Sequence, residues 1–124
     1  MTERDLYRAI KEALPEPHWT RIENGAGVGE PDINCCYRGI EFWLELKIGP
    51  PKLRPAQYAW SMRRAKQGGR VYILARVVDY LAVWKYPNVV VTPLESHLKV
   101  CINEAKIFTC ISPWRELINY LTGP

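Results

Sequence analysis

Residues 40 to 48, IEFWLELKI, admit few local structures. Phe42, Leu44 and Leu46 alternate with Glu41, Trp43, Glu45 and Lys47, a period of two that a strand sorts onto opposite faces and a helix does not. The run before it, Ile33 to Tyr37, is also β-prone, and Arg38-Gly39 between the two fits a tight turn. The pair reads as a hairpin. One face is core, and the other carries charge and one indole ring.

The flanking patterns place helices and further strands around that hairpin. Thr2 caps a first helix, with Asp5 three residues on, Leu6, Ile10 and Leu14 at helical spacing, and Pro15 to stop it. PEPHW and ENGAGVGEP read as loop. LRPAQYAWSMRRAKQGG reads as a second helix, with Pro55 in its first turn and Gly68 or Gly69 at its end. Arg70 to Val78 and Tyr80 to Tyr86 read as strands, residues 89 to 111 as β-rich pieces with a turn at Asn103-Glu104, and Ser112-Pro113 as the cap of a last helix. The expected class is α/β: one domain over residues 1–124, with a mixed central sheet flanked by helices.

Composition removes several alternatives. Seventeen Lys and Arg against thirteen Asp and Glu give a net charge of +4, which permits a polyanionic partner without requiring one. No apolar run is long enough to span a bilayer, so no membrane partner is expected. Cys35, Cys36, Cys101 and Cys110 contain no C-x-x-C, and His18 and His97 do not complete a zinc set, so buried reduced thiols are expected. No basic-then-apolar leader opens the chain, which points to the cytoplasm.

In a hairpin, Asp32, just ahead of the first strand, lies near Glu45 on the second. Two carboxylates meeting there make a hard-oxygen site suited to Mg²⁺ or Mn²⁺. Lys47, two residues from Glu45 on the same face, is placed to orient a water or to stabilise phosphate charge. An isolated E-x-K on a strand is an ordinary solvated ion pair, and an isolated Pro-Asp is an ordinary turn. Their order and spacing separate this chain from those cases.

Gly29-Glu30-Pro31-Asp32 followed by Glu45-Leu46-Lys47 resembles the PD-(D/E)XK nuclease signature, in the branch containing archaeal-type Holliday junction resolvases and VRR-NUC domains. Glu3 matches the glutamate near the start of the first helix, and Gln57 in LRPAQYAW is similar to the VRR-NUC pattern of Pro-x-Gln before an aromatic-rich stretch. The resemblance covers residues 3 to 78 and implies a restriction-endonuclease-like core of αβββαβ type. It further implies that Asp32, Glu45, the Leu46 carbonyl and Glu3 hold Mg²⁺ or Mn²⁺, that Lys47 positions the attacking water, and that Gln57 faces the scissile phosphate. The implied activity is metal-dependent hydrolysis of DNA, selective for branched or junction DNA and carried out by a homodimer. A compact enzyme of this kind suits a phage or mobile element.

Phosphate contacts are expected from Lys52, Arg54, Arg63, Arg64, Lys66 and Arg70, with Arg4, Arg8 and Lys11 as a second patch. Trp43, Tyr58, Trp60 and Trp84 are candidates for base stacking, with core or dimer packing the expected role. Residues 71 to 75 and the C-terminal half are candidates for the dimer interface. Glu30 is expected as a loop-surface carboxylate. Three rival readings remain: a VRR-NUC-type flap or end nuclease, a non-catalytic nucleic-acid-binding module of the same fold, and an interaction domain whose acids merely bind an ion.

Overall fold

The computed structural model describes residues 1–23, 29–109 and 113–124. Asn24, Gly25, Gly27, Cys110 and the expected cap Ser112 lie outside them. Strands β2 (Ile33–Tyr37) and β3 (Ile40–Ile48) form the hairpin, with Ile33 opposite Leu44 and Tyr37 opposite Ile40. Arg38 (φ 51°) and Gly39 (φ 81°) connect them, both in the left-handed region that a two-residue hairpin turn uses.

That hairpin sits inside a six-stranded sheet of order β1-β2-β3-β5-β6-β9, with β1 at His18–Arg21, β5 at Val71–Val77, β6 at Tyr80–Lys85 and β9 at Lys106–Phe108. Every neighbouring pair is antiparallel except β3 and β5. Parallel strands need a crossover, and helix α2 (Pro55–Lys66) supplies it. Beside this sheet, β4 (Lys52–Leu53), β8 (Leu98–Val100) and β7 (Val91–Pro93) make a second, three-stranded one.

The main sheet is covered on both faces. On one, helices α1 (Glu3–Ala13) and α3 (Trp114–Thr122) bury Leu6, Ile10, Leu117 and Leu121 against Phe42, Leu44, Leu46, Tyr72 and Leu74. On the other, Val71, Ile73, Ala75 and Trp84 pack with Leu53, Val89 and Val100 and with the partly buried Trp43, Tyr58 and Trp60. β5 is apolar from Val71 to Ala75, where it is buried on both faces, as strands in the middle of covered sheets are. α3 is tied to this strand: Tyr72 Oη and Arg70 Nη1 both donate to the Leu121 carbonyl, at 2.9 and 3.0 Å, and Arg70 Nη1 also reaches Gly123 O at 2.7 Å. These are carbonyls a helix end leaves without intrahelical partners. Tyr72→Phe is expected to cost about 1 kcal/mol, read as a lower urea midpoint with unchanged slope.

Several expectations need correction. β1 and β4 were not legible: HWTR is an edge strand with a mostly exposed surface, so it lacks an apolar signature. Residues 71 to 75 do not form a dimer interface, because β5 is paired on both edges and fully covered. Trp84 has the core role expected of it, wholly buried with its indole N–H donated to Cys101 O. Cys35 is buried as expected, but Cys36 points the other way along β2 and is exposed.

Candidate active site

Trp43 N donates to Arg70 O and Gly49 N to Arg76 O, so the odd-numbered residues of β3 direct their backbone groups toward β5. Leu44, Leu46 and Ile48 therefore direct theirs toward β2. The β2–β3 ladder ends at the Ile33–Leu44 pair, which leaves Leu46 without a strand partner on that side. Asp32 fills the gap: its Oδ2 accepts the Leu46 N–H at 3.0 Å. Its own carbonyl accepts from Ile22 N at 2.7 Å, pinning the residue where the strands part. The Leu46 carbonyl opens toward the same fork.

Glu45 and Lys47 point to the opposite face of the sheet from Leu46, under α2. Glu45 is only 4 % exposed. Lys47 Nζ lies 3.6 Å from Glu45 Oε2, and Gln57 Nε2 donates to the same oxygen at 3.1 Å. Gln57 cannot flip: its Oε1 accepts the Arg54 N–H at 2.8 Å, which satisfies the entry of α2 and leaves the NH₂ to face Glu45. The helix start is thus part of the site. Gly29 (φ 93°) packs so closely on the α2 first turn that a Cβ there would sit 2.2 Å from Ala56 O.

Glu3, from the first turn of α1, reaches the fork from the other side. It lines a small cavity of about 20 Å³ with Tyr7, Arg21, Asp32, Ile33 and Leu46. Burial raises the Glu3 pKa, the Asp32 charge raises it further, and Lys47 and Arg21 oppose both. Arg21 and Tyr7 belong to this corner and were not anticipated. Arg21 sits on the unrecognised strand β1, while Tyr7 is one turn beyond Glu3 on α1, a spacing that would have revealed it.

Glu45 is the most perturbed of these acids. Burial, then the adjacent Asp32 charge, pushes its pKa up to about 8, with Lys47 pulling the other way. An unfolded glutamate titrates at its ordinary value of 4.5. Between those values the folded chain holds a proton that the unfolded chain has released. Stability is therefore greatest below the lower value and falls as the pH rises through the upper one. In EDTA the loss across that window is expected to be on the order of 5 kcal/mol, and Glu45→Gln is expected to flatten it in urea titrations.

The donors fit a hard divalent cation. Glu45 Oε1 is buried with no hydrogen-bond donor among the described residues, and the Asp32 charge adds to the effect of burial on the Glu45 carboxyl. A buried acid beside a half-buried one favours a proton or a cation at the site. Among the described residues no three His, Cys, Asp or Glu side chains converge tightly enough to hold an ion alone. Asp32, Glu45 and the Leu46 carbonyl nevertheless match the sparse donor set of Mg²⁺, which keeps several waters. Glu3 stands at the rim.

The basic residues divide. Lys52 on β4, Arg54 at the entry of α2, and Arg63, Arg64 and Lys66 on α2 are exposed, as are Arg4, Arg8 and Lys11 on α1. Arg70 leaves the first group, since its guanidinium is spent on α3 carbonyls at the opposite face. Trp43 and Trp60 pack edge to face, with centroids 5.0 Å apart. Tyr58 is half-buried and donates to Val89 O. Glu41 is exposed and Glu30 half-buried.

The fold is that of a restriction-endonuclease-like α/β protein, a mixed sheet flanked by helices. A solved structure with this arrangement is Hjc of Archaeoglobus fulgidus, a Holliday junction resolvase from an archaeal hyperthermophile, similar at a TM-score of 0.55 and 17% identity over 79% of each chain. No family model matches the chain, and no curated protein matches it in sequence. No helix among the described residues is long and apolar enough to cross a membrane.

Proposed function

We propose that residues 1–124 form one nuclease domain that hydrolyses DNA phosphodiester bonds with Mg²⁺ or Mn²⁺, selectively on branched DNA and as a homodimer. The observation that carries this reading is the buried Glu45 oxygen beside Asp32, which has no hydrogen-bond donor among the described residues and lies amid Leu46, Lys47 and Gln57. The likeness to a junction resolvase supports it at the level of fold.

Asp32, Glu45 and the Leu46 carbonyl would hold the cation, with Glu3 contributing directly or through water. When bound, the ion neutralises charge on the phosphate and favours an attacking water. Lys47 donates hydrogen bonds to that water and to a phosphate oxygen, orienting the attack opposite the leaving oxygen. Gln57 holds the Glu45 carboxylate in one rotamer. Lys52, Arg54, Arg63, Arg64 and Lys66, and Arg4, Arg8 and Lys11 across the fork, supply phosphate contacts that position DNA without reading sequence. The Gln57 contact equally suits a VRR-NUC-type flap or end nuclease. A phage origin and a cytoplasmic setting are consistent with either.

The test is cleavage of four-way junction, flap, single-stranded and duplex DNA, with Mg²⁺, Mn²⁺ or EDTA. Paired nicks in the junction, abolished by EDTA, are expected. Cutting at flaps or ends alone would favour the alternative, and binding without cutting would identify a non-catalytic module. A gel-filtration mass of one chain would remove the homodimer.

A further inference from the structure

α2 runs antiparallel to β3 across the charged face of the hairpin: Gln57 meets Glu45, and one helical turn later Trp60 meets Trp43. A second turn brings Arg64, whose guanidinium carbon lies 4.8 Å from the Trp60 ring centroid and 5.3 Å from that of Trp43. Its stem is seated by Gly69, where a Cβ would stand 2.7 Å from Arg64 Cγ and 2.8 Å from Cδ. Gly69 N also donates to Arg64 O at 3.0 Å. The guanidinium is thus held over the Trp60 and Trp43 rings, on a residue that remains exposed.

Among the described residues no ion pair accounts for this placement. The ion pairs among the described residues are Arg21–Glu23, Lys47–Glu45 and Arg115–Glu16, so Arg64 is in none of them. The open concavity beside it, about 660 Å³, is lined by Trp60, Arg63, Arg64, Gln67, Gly68 and Gly69, with no carboxylate. The negative end of the helix dipole explains a cation in the last turn, but not one stacked over an aromatic pair. A guanidinium over an indole ring, beside further exposed positive charge, is what a splayed nucleobase and its phosphate recognise.

We propose that Trp43, Trp60 and Arg64 form a subsite for an unpaired nucleotide next to the cut, with the base stacked on the Arg64–Trp60 platform and its phosphate held by Arg63. The proposal rests on the nuclease reading of Asp32 and Glu45. Trp43 and Glu45 are two residues apart on one face, about 6.7 Å along the strand, or about two stacked nucleotides at 3.4 Å each. A fully paired duplex keeps its bases stacked inside and cannot use the platform. The substrate class is therefore DNA with a single-stranded or opened nucleotide within about two positions of the scissile phosphate.

The test measures binding of the full chain in EDTA, by fluorescence anisotropy, to a short single-stranded oligonucleotide and to its duplex. Arg64→Lys keeps the charge and removes the plane. It is expected to weaken single-strand binding by about 5- to 50-fold and to change duplex binding by less than about twofold. Arg115→Lys, exposed on α3 and outside both basic groups, is expected to leave the ratio between the two ligands unchanged. Trp60→Leu, with circular dichroism to confirm folding, should reproduce the Arg64→Lys pattern. Equal loss on both ligands, no loss, or a wild-type chain that does not bind single strands would overturn the subsite. Because no cleavage is involved, a selective loss without any nuclease activity would retain the subsite and reject the nuclease reading.

Discussion

Asp32→Asn is expected to lower the cleavage rate on branched DNA by about 10³-fold or more while leaving the fold intact. The amide keeps the shape of the carboxylate, and its oxygen can still accept the Leu46 N–H that Asp32 Oδ2 accepts at 3.0 Å. What it removes is the charge beside the buried Glu45, which now supports part of the raised Glu45 pKa. The metal-free variant should therefore be no less stable than the wild type near neutral pH, and the slope of stability against pH should be shallower. Loss of activity with unchanged or higher stability separates a functional acid from a structural one. Cleavage within about tenfold of wild type in single-turnover assays would mean that Asp32 is not part of the chemistry.

Gly29→Ala is expected to cost at least about 2 kcal/mol, and to reduce cleavage as well, although Gly29 has no side chain to offer chemistry. Its φ of 93° already lies where L side chains are strained, and the added methyl would stand 2.2 Å from Ala56 O, 2.7 Å from Ala56 C and 3.2 Å from Gln57 N. All three are backbone atoms of the first turn of α2, which cannot swing aside as a flexible side chain would. Relief must come from moving the Glu30-Pro31-Asp32 segment away from the helix, and that separates Asp32 from the turn that holds Gln57 on Glu45. Urea unfolding and the cleavage rate should both report the change. Wild-type stability for the variant would show that the loop and helix are not packed as described.

The hairpin was legible because its alternation is unambiguous: Phe42, Leu44 and Leu46 all reach the core, and β2 and β3 begin and end where the residues suggest. α1 and α2 were legible from Thr2 and Pro55 at their entries. β1 was not, since a short edge strand with little burial carries no periodic signal, and Arg21 was missed with it. At the candidate site, the proximity of Glu45 to Lys47 followed from strand geometry, and that of Asp32 followed from the hairpin. The Gln57–Glu45 bond could not be read from periodicity, because it depends on how a crossover helix lies over a parallel pair. Arg70 misled for a related reason. Its position at a strand start looks like the rest of the basic group, but strand parity turns it to the α3 face.

The Leu46 amide is held by a side chain at a place where its neighbours in β3 are held by other strands. Its proton is a spectroscopic reporter that the fold supplies. Its chemical shift and its exchange with solvent depend on the charge state of one carboxylate, while the Leu44 and Trp43 amides, held in the ladders on either side, serve as internal references. Cation titration followed at that single resonance would reveal occupancy of the fork without any DNA present, and without waiting for a bond to break.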